Sequence, residues 1–243
     1  MENTTGPAIW FEPPIGFVET PLDGTLEERF DLMADVFERQ FPDVPLEQRL
    51  LTAANAELML QAQFAQGLAH LSNCLYRAGD GTVLHAVFSI FVMPLDTGSP
   101  LTFADRRAGE LAAARPRAEV GVLHLPYGRA IVATEDRVVP LPGALYGLAQ
   151  DGESLVRQIE VMIPHPVGGH LVLIVLSTEY LDHWEDLVPV LGTALEAVSF
   201  FAPLPGLAGR ALEEPATARQ SQSEPAVSAP SAAVQESVRR AFG

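Results

Sequence analysis

The side chains of this chain best suited to chemistry are its six histidines and its single cysteine. His165 and His170 flank the Gly168-Gly169 turn and His183 follows Asp182, so three imidazoles could meet at one end of a sheet and hold zinc. Such a site needs convergent ligands and outer hydrogen-bond partners that aim them, and loop spacing supplies neither, so no metal is expected. His85 interrupts the apolar run Val83 to Met93 and reads as a hydrogen-bonded core residue rather than a ligand. A lone thiol excludes an internal disulfide and any cysteine-rich metal site. The apolar neighbours of Cys74 make it a small core residue rather than a nucleophile. The chain contains no Gly-x-Ser-x-Gly elbow, P-loop, Gly-x-Gly-x-x-Gly or His-Glu-x-x-His. No catalytic, cofactor-binding or metal-binding residue is therefore assigned. An enzyme would have to be hydrolase-like and built from the irregular stretch Val139 to Gly152 together with the histidines near residue 165.

Charge narrows the partners. The net charge is −16, and from Met1 to His70 twelve acids face three arginines, whereas the tail from Pro203 onward is balanced. An acidic body repels phosphate backbones, which disfavours nucleic acid and anionic membranes. Purely apolar runs such as Leu171 to Leu176 are far too short to span a bilayer, so membrane insertion is not expected. The N-terminus has neither the basic start nor the apolar run of a signal peptide, and a cytoplasmic location is the expectation.

The elements that must position any site follow from periodicity. Glu153 to Phe201 organises the chain. Leu155, Ile159, Val161 and Ile163 alternate with Val156, Gln158, Glu160 and Met162, the pattern of a strand with one buried and one wetter side. His165-Pro-Val-Gly-Gly-His170 turns the chain, and Leu171 to Leu176 returns it as a run covered on both faces. Leu187, Val188, Leu191, Leu195 and Val198 then recur at helical steps. Asp182 and Glu185 have the spacing of a capping box, and Pro189 either kinks this helix or opens it, with the kink preferred.

Upstream, residues 1–24 read as an extended segment that could supply a first edge strand. Thr25 and Glu28 form a capping box for a helix with the stripe Leu26, Phe30, Met33, Phe37 and Phe41, its remaining surface largely acidic. A second helix opens at Pro45 and runs to about Gln66 with a broad stripe through Leu46, Leu50, Ala53, Ala54, Glu57, Leu58, Gln61 and Phe64. The acidic face offers either a docking surface or simply a solvated one, the second being the commoner case. Ala78-Gly-Asp-Gly81 predicts a hairpin between strands at Leu68 to Tyr76 and Thr82 to Met93. A helix through Phe103, Arg107 and Leu111 precedes strands near Ala118 to Leu125 and Arg129 to Val138.

The resulting expectation is an α+β protein. A twisted, mainly antiparallel sheet of about six strands is packed by helices in one domain over 25–202, and 203–243 forms a tail too poor in large apolar residues to order itself. Within that tail Val234, Val238 and Phe242 fall at four-residue steps beside Arg239 and Arg240, which offers a short partner-binding helix, or a chance pattern in an alanine-rich tail.

The closing pattern, Leu171-Val-Leu-Ile-Val-Leu-Ser-Thr178, then Tyr180 and His183-Trp184, then Leu195-Glu-Ala-Val-Ser-Phe200, resembles the close of PsbP-like and LpqN-like domains. The opening, Pro13-Pro-Ile-Gly-Phe17 with Pro21-Leu-Asp-Gly24 and a helix, is similar to uncharacterised actinobacterial proteins associated with type VII secretion loci. The resemblance implies a helix-packed antiparallel sheet used for binding rather than catalysis. The acidic helical insertion Thr25 to Gln66 and the absence of a lipobox cysteine depart from those plans, so no functional residue carries over. Together these readings anticipate a non-catalytic adaptor with a protein partner and no cofactor.

Overall fold

A computed structural model describes residues 9–13, 16–40, 42–141 and 150–201 of the chain. Among the described residues, seven strands form one antiparallel sheet in the order β1-β2-β3-β7-β6-β5-β4. In chain order they are β1 (Phe17–Glu19), β2 (Leu68–Arg77), β3 (Val83–Pro94), β4 (Glu119–Leu125), β5 (Gly128–Leu141), β6 (Gly152–Pro164) and β7 (His170–Thr178). Four α-helices accompany them among the described residues: α1 (Leu26–Gln40), α2 (Leu46–Phe64), α3 (Pro100–Ala114) and α4 (Trp184–Ala197). The α+β class is as expected, and the seventh strand is β1, whose three residues add an edge to β2.

Strand alternation divides the apolar side chains between two faces. Phe88, Ile90, Ile159, Val161, Ile174 and Leu176 point to the first face, where Leu187, Leu191, Ala194 and Leu195 of α4 close over them. Trp10 bridges Ser199 on the same side, fastening the N-terminal segment to the chain just past α4. Leu155 shares this alternation but lies beyond the core and is exposed. The second face is covered at one end by α3, whose Phe103 and Ala104 pack on Ile131 and Leu171.

The helix that becomes α4 begins differently from the sequence expectation. A 3-10 turn at Leu181–His183 precedes it, no side-chain cap bond forms at its start, and it continues through Pro189. Asp182 therefore does not cap it. The Thr25–Glu28 box forms as its spacing predicts, with the Thr25 N–H donating to Glu28 Oε2 at 2.7 Å and the Glu28 N–H donating to Thr25 Oγ1 at 3.2 Å.

In α2 the buried side chains are Ala53, Glu57 and Leu60, whereas Leu46, Leu50 and Leu58 of the expected stripe are exposed. The helix is rotated because α1, rather than the sheet, is its main neighbour. At that contact the Arg29 guanidinium reaches both Glu57 oxygens, at 2.6 and 3.2 Å, and lies 5.2 Å from the Phe64 ring centroid. Phe41, the last residue of the expected α1 stripe, lies outside the described residues. Gly67 ends the hairpin at φ +90°, where a Cβ would stand 2.3 Å from the Val92 carbonyl oxygen, so a side chain would break the contact of the α2 exit with β3.

The irregular stretch expected from Val139 to Gly152 is shorter than its composition suggests. Val139, Pro140 and Leu141 extend the ladder of β5 against Ser154, Glu153 and Gly152. Pro140 is tolerated because β4 pairs with β5 only as far as Thr134, so one side of β5 is free of ladder bonds there. Residues 142–149 lie outside the described residues.

Candidate functional site

The three histidines weighed as a metal site do not meet. His165 and His170 stand together at one end of β7, with ring centroids 6.4 Å apart, and His165 packs against Phe200 at 5.1 Å. His183 follows the other end of β7, where its Nδ1 lies 3.2 Å from Asp186 Oδ2 and its Nε2 3.8 Å from Asp80 in the β2–β3 turn. The length of a strand separates them, and no group of three or more metal-binding side chains occurs among the described residues. His85 is corrected as well. It is exposed rather than in the core, on the second face of the sheet, with Nε2 3.2 Å from Asn73 Oδ1. Cys74 is buried as expected, and burial pushes its thiol up to about 11.

One constellation has the relay order of a hydrolase. His70 Nε2 lies 3.0 Å from Ser72 Oγ, and its Nδ1 lies 3.3 Å from Glu19 Oε1. The tautomer with its proton on Nδ1 satisfies both contacts. Ser72 is fully buried beneath the N-terminal segment, with Phe11 4.6 Å from the His70 ring, so substrate has no path to this hydroxyl in the closed fold. The trio instead joins β1 to β2, where Glu19 and Ser72 are cross-strand partners. Burial lowers the His70 pKa, opposed by Glu19.

Two surfaces have the character of binding sites. The first is a ridge on α2 formed by Leu46, Leu50, Ala54 and Leu58 at four-residue steps, with Leu51 beside it. Leu46, Leu51 and Leu58 are 61%, 46% and 67% exposed. On α1 the exposed side is acidic, carrying Glu27, Asp31, Asp35 and Glu38. From Leu26 to Phe64 eight carboxylates oppose three arginines. One of these ion pairs, Arg29–Glu57, is internal, which leaves seven carboxylates against two arginines on the rest of the hairpin. Apolar side chains exposed together on a charged element mark interaction surfaces, whereas single ones do not.

The second surface is a trough of about 480 Å³ on the second face of the sheet, between Gln63 of α2, Gln66 just past that helix, and Arg115 beyond α3. Its floor includes Val87, Phe91, Met162, Leu173 and Val175. Arg115 donates to Glu160 Oε2 at 2.7 Å, while Arg137 and Gln158 donate to Oε1 at 3.2 and 2.8 Å. The alternation of β6 already places Gln158 and Glu160 on the wetter side. Arg115 and Arg137, distant in sequence, gave no sign of joining them.

The tail residues Val234, Val238, Arg239, Arg240 and Phe242, expected as a partner-binding segment, lie outside the described residues. No helix among the described residues is long and apolar enough to cross a membrane. The fold and both surfaces define an α+β protein with a helical hairpin standing beside an open sheet face. No protein-family model matches the chain, and neither does any curated protein or solved structure.

Proposed function

We propose that this protein is a non-catalytic adaptor of the cytoplasm that binds a protein partner through the α1–α2 hairpin. In its finer form the reading makes it an accessory of an actinobacterial type VII secretion system, which rests on the resemblance of its opening and closing patterns alone. The single observation that carries the reading is the leucine ridge of α2, where Leu46, Leu50, Leu51 and Leu58 are exposed together on one helix. Ridges of this spacing bind an amphipathic helix by interdigitation. The carboxylates on α1 select a partner whose apolar anchors are flanked by arginine or lysine, and they make association faster at low salt. The basic pair Arg239–Arg240 beside Val234, Val238 and Phe242 gives the tail that same character, so the tail enters the reading as a competitor or a co-binder at the hairpin.

The test is affinity purification from the native host with tagged wild type and with the double variant Leu50→Asp, Leu58→Asp. A protein recovered with wild type, weakened by salt and lost with the double variant is the expected result. Equal recovery by both forms, with the variant shown to be folded by circular dichroism, would overturn the reading. A version ending after Ala202 assigns the tail its part, because unchanged affinity removes Val234 to Phe242 from the interface.

A further inference from the structure

We propose that the leucine ridge of α2 is covered between encounters by the chain's own tail, residues 234–242, which an incoming partner must displace. The proposal rests on the reading of that ridge as the docking surface and names what occupies it in the absence of a partner. Spacing, charge and reach select the tail.

On α2 the apolar residues Leu46, Leu50, Ala54 and Leu58 recur every four residues, and all three leucines are exposed. In the tail Val234, Val238 and Phe242 recur at the same interval. Residues four apart stack along one side of a helix, so a tail wound as a helix presents one apolar row to another of equal pitch. Rows of this kind interdigitate when two helices pack. A helix of so few residues gains its stability only from such a surface.

Charge selects the same pairing. With Arg29 and Glu57 bonded to each other, the hairpin keeps seven carboxylates against two arginines, and of these Arg49 already lies 3.7 Å from Glu38. From Val234 to Gly243 the balance is reversed, with Arg239 and Arg240 against Glu236. A basic, apolar segment is drawn to an acidic, apolar surface, and a segment of the opposite sign is turned away.

Reach decides between the tail and a second molecule. The last described residue, Phe201, lies at the end of the sheet from which the hairpin springs. Phe200 packs at 5.1 Å on His165 of the β6–β7 turn, and Gly169 of that turn accepts from the Leu95 N–H at 3.0 Å, just past β3. Two residues before the end of β3, the Val92 N–H donates at 2.8 Å to the carbonyl of Gly67, where the chain leaves α2. The far end of α2 is about 28 Å from that point at 1.5 Å per residue. Residues 202–233 can span up to about 100 Å, so every position on the ridge is within reach. Tethering at this range gives a local concentration on the order of millimolar. A contact too weak to join two separate molecules therefore fills the ridge within one. A partner binds only when its affinity exceeds that competition.

The test uses the full chain with ¹³C-labelled methionine methyl groups. Met59 is 61% exposed on α2 next to Leu58, while Met93 and Met162 belong to the sheet. Wild type is compared with the double variant Val238→Asp, Phe242→Asp, whose changes lie outside the sheet and the hairpin. The expected result is a Met59 signal that differs between the two and does not change on dilution, with Met93 and Met162 unmoved. A synthetic peptide of residues 231–243 should return Met59 of the variant toward its wild-type position. By fluorescence anisotropy the same peptide, labelled, should bind the variant at least about ten-fold more tightly than wild type, whose ridge is already occupied. Adding Leu50→Asp and Leu58→Asp to the tail variant should abolish that binding. Identical Met59 signals in wild type and tail variant, a difference that fades on dilution, equal peptide affinity for the two forms, or peptide binding that survives the ridge substitutions would each overturn the proposal. The adaptor reading is judged separately, because a partner lost with Leu50→Asp, Leu58→Asp supports the ridge even where Met59 gives no sign of the tail.

Discussion

Helices α2 and α4 carry comparable numbers of large apolar residues and use them in opposite ways. In α4, Leu187, Leu191 and Leu195 are sealed against the first face of the sheet. In α2, Leu46, Leu50, Leu51 and Leu58 face outward, while the inner face holds Ala53, Leu60 and a buried carboxylate. The difference lies in the neighbour. A broad apolar sheet takes up a whole helical stripe, whereas a single partner helix of modest width covers only a narrow seam. The leftover stripe is what a second protein can use. Apolar periodicity thus tells that a helix wants a partner, without telling whether the partner belongs to the same chain.

This contrast can be broken by experiment, and the largest effect expected is on chemical reactivity inside the sealed half. Cys74 shares its cluster with Leu195, and its thiol is both buried and raised to about 11. Native protein at pH 8 should react with a disulfide reagent at least about a hundred-fold more slowly than urea-unfolded protein, because the thiolate is scarce and out of reach. Comparable rates would show that the α4 side opens readily.

Truncation of side chains gives the next largest difference. Leu195→Ala should cost about 2–5 kcal/mol in urea unfolding, as for fully buried leucines elsewhere. Leu58→Ala should change stability by less than about 0.5 kcal/mol, since it removes exposed surface. Equal losses would mean that the ridge is covered within the chain.

Inside the hairpin, the hydrogen bond from Arg29 holds the Glu57 carboxyl below its ordinary value of 4.5. The folded form therefore releases this proton more readily than the unfolded chain. The pair contributes its stability above pH 4.5 and loses it as pH falls through the lower folded value. Glu57→Gln should destabilise the protein at neutral pH and flatten its acid dependence in that window, measured by urea midpoints. An unchanged acid profile would assign the dependence to other carboxylates.

The smallest effect concerns His70 at the β1–β2 junction, whose pKa is lowered by burial despite Glu19. Here too the unfolded state binds the proton more tightly, so stability should be complete above pH 6.5 and decline as pH falls toward the folded value. His70→Asn should reduce the difference between urea midpoints at pH 5.5 and 7.5. A larger pH dependence in the variant would contradict the assignment.

Legibility in the sequence followed the range of the interaction. The Thr25–Glu28 box, the Ala78 to Gly81 hairpin and the β6–β7 unit were all readable, because each is decided by residues close together in the chain. The Asp182–Glu185 spacing was equally local and yet misled, since the chain enters α4 through a 3-10 turn that leaves no cap bond to make. The histidines illustrate the same limit. Nearness of His165, His170 and His183 in sequence says little when a full strand runs between the second and the third.

What the amino-acid order determined by itself was which segments become strands and helices, and that one side of β6 is wetter than the other, because alternation and helical period are local consequences of backbone geometry. Tertiary structure alone decided that α2 turns its leucines outward and that Arg115 and Arg137 meet over Glu160. Those outcomes depend on which surfaces compete for the same neighbour across the folded chain, and that competition is settled only when the sheet is assembled and its two faces have been divided among the helices.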